Sequence, residues 1–261
     1  MSPSEQSLLI TGAAGRIGRL AIQGFADRYK LSLLDIHPFQ PRRGLHLFRA
    51  DICRLNEISP YFHHGDTVVH LAAEANPKAA WESIASRNIT GTLNVLQAAS
   101  SAGCRRVIFA SSVQVVIGYP RDMRVDAHMP IRPANAYGIS KAWGEMLARH
   151  YSQEKGISII CLRIGWYFPP RSLSMVPGNP GLAIGISGDD LLQLMDCAVT
   201  APQDLRFGIF HGTSNNRQQR FDIQETCQVL GYHPQDDIYN LAEHNYIGRF
   251  HRLVKTHLRH W

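Results

Sequence analysis

Residues 8–20 read LLITGAAGRIGRL, an apolar run followed by Gly12, Gly15 and Gly18 at intervals of three. Ser7 to Thr11 is short, apolar and β-prone, whereas Ile17, Leu20, Ala21, Gly24 and Phe25 share one face of a helix spanning Arg16 to Arg28. The glycines therefore sit between a buried strand and a helix. Gly12 permits a sharp turn, Gly15 lets backbone approach a pyrophosphate, and Gly18 lets the helix pack closely on the sheet. Unpaired N–H groups and the positive dipole end at the helix N-terminus, around Arg16 and Ile17, favour an anion. A mere tight turn would share the glycines, so a second feature must decide.

That feature is an acidic residue about twenty positions on, at the end of the second strand, where a carboxylate accepts from adenosine ribose hydroxyls. The stretch KLSLLDIHP supplies it: Lys30 to Leu34 reads as a buried strand and Asp35 stands at its C-terminal edge. A 2′-phosphate would meet a like charge there, which favours NAD over NADP, although Arg16, Arg42 and Arg43 are near enough in sequence to accommodate a phosphate.

The rhythm continues with strands at Leu45–Arg49, Thr67–Leu71, Arg106–Ser111 and Ser158–Ile164. Between them come helices at Leu55–Tyr61, Trp81–Ala102 and Ala136–Lys155. Alternation of this kind predicts an α/β fold, a doubly wound parallel sheet of Rossmann type that binds ligands off the strand C-termini. Asp35, Asp51, Leu71, Ala72, Ala73, Ser112 and Ile164 all fall at that edge. Residues 1–165 form the dinucleotide-binding portion with the catalytic helix. Residues 166–261 form a small C-terminal substrate lobe and tail of the same structural domain, with a Pro- and Gly-rich loop, a helix near Asp189–Ala201, a strand near Phe207–His211 and a helix near Ile223–Leu230.

With 261 residues the chain suits one large α/β domain. The net charge of +6 comes from scattered basic residues without a nucleic-acid stripe, so no nucleic-acid partner is expected. The exception is the tail RFHRLVKTHLRHW, where Arg249, Arg252, Lys255 and Arg259 alternate with apolar residues. It is expected to dock on its own domain or a neighbouring subunit, with membrane contact as the alternative. Cys53, Cys104, Cys161, Cys197 and Cys227 are odd in number and form no CxxC, which reads as reduced thiols in a cytoplasmic protein. The thirteen histidines contain no HxxxH or HExxH, so no metal site is expected.

The chemistry is carried by AYGISKAWGE, in which Tyr137 and Lys141 stand four apart and share a helical face. A free phenol has a pKa of about 10 and is a poor base, but an adjacent ammonium is expected to lower it. Lys141 would also hold the nicotinamide ribose. Ser112, 25 residues before Tyr137 at a strand end, is placed to orient the substrate oxygen. Tyr151 and Lys155 repeat the spacing, but fourteen residues, or about 21 Å, further along the axis, where Gly156 stops the helix. They read as structural.

TGAAGRIG, HLAA at His70–Ala73, RNITGTLNVLQAA from Arg87, ASS from Ala110, YGISK and LRIG from Leu162 resemble an extended short-chain dehydrogenase/reductase over residues 7–165. Within that group the chain is most similar to the uronate dehydrogenases, which share IGYP at Ile117–Pro120, YGISKAWGE and GDD at Gly188–Asp190. The resemblance implies that Asp51 and Ile52 flank the adenine, that Leu71, Ala72 and Ala73 line the cofactor, and that Asn88 lies behind the site. Departures fall in the substrate shell. Val113 and Gln114 stand where Asn and His are usual, and Ala75 and Trp166 stand where serines are usual. Arg171 is the nearest loop cation able to bind a carboxylate. The function implied is NAD-dependent oxidation of a free sugar or sugar acid at its anomeric carbon by a homo-oligomer. The alternatives are a sugar epimerase or isomerase, whose members are usually longer, and a non-catalytic NAD(H) sensor, which typically loses the tyrosine or lysine.

Overall fold

The computed structural model describes residues 6–38, 44–169 and 172–246. Arg42, Arg43, Arg171 and the basic tail lie outside these residues. The chain alternates as its apolar spacing requires. β1 (Ser7–Thr11) turns into α1 (Arg16–Phe25), followed by β2 (Lys30–Asp35), β3 (His46–Arg49), α2 (Leu55–Ile58) and β4 (Thr67–His70). Then come α3 (Trp81–Ile84), α4 (Gly91–Ser101), β5 (Arg106–Ser112), α5 (Ala136–Lys155) and β6 (Ser158–Ile164). The chain continues through β7 (Trp166–Tyr167), β8 (Gly185–Ile186), α6 (Gly188–Thr200), β9 (Phe207–Gly212) and α7 (Gln224–Leu230).

Among the described residues one sheet has seven strands in the order β3-β2-β1-β4-β5-β6-β9, every pairing parallel. Both faces are covered, as a parallel sheet demands. Alternate residues of β1 show it: Leu8 and Ile10 join a core with Phe25 of α1 and Leu194 of α6, whereas Leu9 joins one with Val95 of α4 and Ala148 of α5. The strand order reverses between β1 and β4, and ligands bind at such a switch point.

Two elements differ from the sequence reading. Phe207–Gly212, expected in the C-terminal lobe, pairs along its length with β6 and completes the central sheet, the crossover being made by α6. The helix expected at Trp81–Ala102 is divided by a widened π-turn at Ala85–Thr90. That turn carries Asn88, whose buried amide is satisfied from other elements: Oδ1 accepts from Glu74 N–H at 2.7 Å, and Nδ2 donates to Ser140 Oγ at 2.9 Å. Beyond the sheet, Phe168, Met175 and Leu182 pack on Ile238 and Ala242 of helical residues 238–246. No helix among the described residues is long and apolar enough to cross a membrane.

Candidate active site

Two cavities meet at Leu71 and Ala73, off the C-terminal ends of β1 and β4. The larger, about 500 Å³, is bordered by Gly12, Gly15, Asp35, Asp51 and Ile52. Gly12 has φ +72°, and a Cβ there would lie 2.5 Å from Ala72 N, so the strand-to-helix turn and the β4 loop can approach only at glycine. A Cβ on Gly18 would lie 2.4 Å from Gly12 O, which is why α1 can start so close to the turn. Gly15 is different. It caps α1 and is exposed, and an added Cβ would come no nearer than 3.1 Å to protein, at Gly12 O. What the absent side chain leaves accessible is the helix N-terminus, the place for an anion.

Asp35 ends β2 only 7% exposed, its Oδ2 accepting from Ala14 N–H and its Oδ1 from His37 N–H, each at 2.9 Å. One carboxylate thus braces the glycine turn and borders the cavity. Asp51 Oδ1 accepts from Cys53 N–H at 2.9 Å, and Ile52 packs beneath Gly91, where a Cβ would lie 2.5 Å from Ile52 Cδ1. A buried acid, a glycine turn and an open helix N-terminus fit a dinucleotide. His37, Cys53, Ser86 and Arg87 also line this cavity and were missed from sequence, although Cys53 and Arg87 adjoin Ile52 and Asn88.

The smaller cavity, about 260 Å³, brings together Ser112, Tyr137, Lys141 and Ile164 with Ala75, Val113, Gln114 and Trp166. Arg16 and Ile17, assigned to the cofactor from sequence, line this cavity rather than the larger one. Asn88 lines neither; it ties the loop after β4 to α5 through Glu74 and Ser140. Tyr151 and Lys155 lie at the far end of α5, and neither borders a cavity that contains Ser112.

Lys141 is 3% exposed and its Nζ donates to Ala110 O at 2.8 Å, 5.7 Å from the Tyr137 ring centroid. Burial pushes the Lys141 ammonium down to about 8 against the opposing pull of Glu145. Burial likewise pushes the Tyr137 phenol up to about 12, with the hydrogen bond to Ser112 acting the other way. The expected lowering by Lys141 is therefore not present in this arrangement. The ammonium is committed to a backbone carbonyl, and desolvation dominates the phenol. Beneath these residues Glu145 accepts from Ser111 Oγ and Arg163, a buried network not foreseen from sequence.

Residues 8–178 match the NAD dependent epimerase/dehydratase family. The chain belongs to that family. Its cofactor is NAD, in keeping with the glycine turn and Asp35. The chain is 35% identical over 235 residues to a uronate dehydrogenase of Pseudomonas putida, covering 88% of this chain and 84% of that protein. It is 31% identical over 265 residues to an NAD-dependent glucose-6-phosphate dehydrogenase of Haloferax volcanii, covering 94% and 97%. A uronate dehydrogenase from Agrobacterium tumefaciens, solved as a mutant complexed with NAD, superposes with a TM-score of 0.83 at 30% identity, covering 92% of this chain and 89% of that one.

Proposed function

We propose that this member of the family is an NAD-dependent dehydrogenase that oxidises a free sugar or sugar acid at its anomeric carbon. One observation carries the reading: Ser112, Tyr137 and Lys141 line a single small cavity that joins the dinucleotide cradle at Leu71 and Ala73. When bound, NAD supplies the hydride acceptor. Tyr137 Oη takes the proton of the C1 hydroxyl, and Ser112 Oγ holds the same oxygen as it becomes a carbonyl. The substrate loses one hydride and one proton, and the product is a lactone at C1, of the aldonolactone type. Lys141, its Nζ held by Ala110 O and 5.7 Å from the Tyr137 ring centroid, would hold the nicotinamide ribose. Gly12, Gly15 and Gly18 shape the pyrophosphate turn, and Asp35 receives the adenosine ribose.

The cavity holds about 260 Å³, which suits one sugar ring rather than a nucleotide sugar. Among the described residues its lining includes Arg16 and Lys141 and no Asp or Glu, which favours an anionic sugar. The two relatives named above act, by their names, on a uronate and on a sugar phosphate. The test is a panel of uronates, aldoses, sugar phosphates and polyols with NAD, followed at the NADH absorbance. NADH formation with at least one free sugar or sugar acid is the expected result. A panel without NADH, in which a nucleotide sugar is instead epimerised, overturns the reading.

A further inference from the structure

The first turn of α5 contains a chain of hydrogen bonds whose direction is forced. Gly138 N–H can only donate, and it donates to Asn135 Oδ1 at 2.8 Å. The other end of the Asn135 amide is therefore its NH₂, and Nδ2 donates to Gln114 Oε1 at 2.8 Å. Its oxygen is thereby held toward Asn135, and the Nε2 donors of Gln114 have no acceptor among the described residues. Gln114 is held at two further points. Its own N–H donates to Ser112 Oγ at 3.2 Å, and a Cβ on Gly138 would lie 2.4 Å from its carbonyl oxygen. These two contacts fix its backbone, so the sense of its side-chain amide is set by Asn135.

We infer that Asn135 is a positioning residue which fixes the amide of Gln114 so that it offers a donor to the substrate cavity, and so selects sugars that present an anionic oxygen there. This rests on the sugar-oxidising reading of the cavity. A carboxylate only accepts, and its bond from the amide is charge-assisted, whereas a hydroxyl also carries a proton for which Gln114 offers no acceptor, so the bias is toward the acid. Helix capping alone would not require Asn at position 135, because Asp or Ser would cap Gly138 about as well. Only the amide has a donor left over for Gln114.

Asn135→Asp tests this, because its Oδ1 still caps Gly138 while its second oxygen faces Gln114. Gln114 must then reverse to donate, which turns its oxygen toward the cavity. The KM for glucuronate relative to that for glucose is expected to rise about tenfold, as a donor to the substrate is replaced by an acceptor. NAD affinity is expected to be unchanged and the melting temperature unchanged or higher. Gln114→Glu is the second variant, since it keeps an acceptor for Asn135 and places a carboxylate in the cavity. Its KM ratio is expected to return toward the wild-type value from about pH 8 to about pH 5, as the new carboxyl gains a proton and donates again. The ionisable groups sharing the cavity are Arg16, Tyr137, Lys141 and Tyr167, and the wild type measured alongside accounts for them. An unchanged ratio in both variants, or an equal loss on both sugars with a lowered melting temperature, overturns the inference and leaves the dehydrogenase reading standing. A wild type that oxidises no sugar overturns both.

Discussion

Arg163 on β6 holds Glu145 on α5 with both arms of its guanidinium, Nε to Oε1 and Nη2 to Oε2, each at 2.8 Å. Ser111 Oγ adds a third bond to Oε1 at 2.6 Å, and the two charged side chains are 2% and 3% exposed. The pair stands one helical turn beyond Lys141 and ties α5 to the two strands it covers, so Ser112 and Lys141 share one rigid support.

Removing one partner of such a pair leaves a buried charge uncompensated. Glu145→Ala is expected to lower unfolding stability by about 3–5 kcal/mol. Urea unfolding reads this as a lower midpoint at unchanged slope. A loss under about 1 kcal/mol would mean that water reaches Arg163.

Tyr137→Phe removes the proposed proton acceptor and keeps the ring. Turnover is expected to fall by at least about a thousandfold, within the range general base catalysis supplies, with NAD affinity nearly unchanged. Tyr151→Phe, at the distal end of α5, is expected to retain most activity. Equal activities in the two variants would show that the proton goes elsewhere.

Asp35→Ala is expected to narrow the preference for NAD over NADP, because it removes the buried carboxylate proposed to face the 2′ position. It also removes the acceptor of Ala14 N–H, so affinity for NAD itself should weaken. Fluorescence titration with both cofactors measures the two effects separately. Comparable affinities already in the wild type would sink the specificity argument.

Two buried histidines are expected to make the fold acid-sensitive. His70 lies between Thr11 Oγ1 and Thr92 Oγ1, and burial, helped by the charge of Lys141, holds its pKa down to about 3. Burial, with Arg163 adding, holds His211 down to about 4. Unfolded, each takes up a proton at about 6.5, so between that pH and the folded value the unfolded chain binds more protons. Stability therefore falls as pH falls, by up to about 1.4 kcal/mol per pH unit for each histidine. Denaturant midpoints at pH 7 and pH 5 check this, and His70→Gln should flatten the dependence.

What the sequence determined by itself is local. The glycine turn, Asp35 at its strand end, and Tyr137 and Lys141 on one helical face depend on backbone preferences and spacings within a few residues, and the structure has them in those positions. The parallel sheet followed from repetition of the same units. Tertiary structure alone decided what depends on partners distant in the chain. A strand cannot declare its neighbour, so Phe207–Gly212 was not recognisable as the seventh strand until it paired with β6. The spacing of Tyr137 and Lys141 does not say where the ammonium points. Its bond to Ala110 O, and the burial that raises the phenol, come from β5 lying beneath α5. Asn135 and Gln114 are 21 residues apart, and the sense of each amide was decided only when a backbone N–H, which can donate but not accept, met one of them.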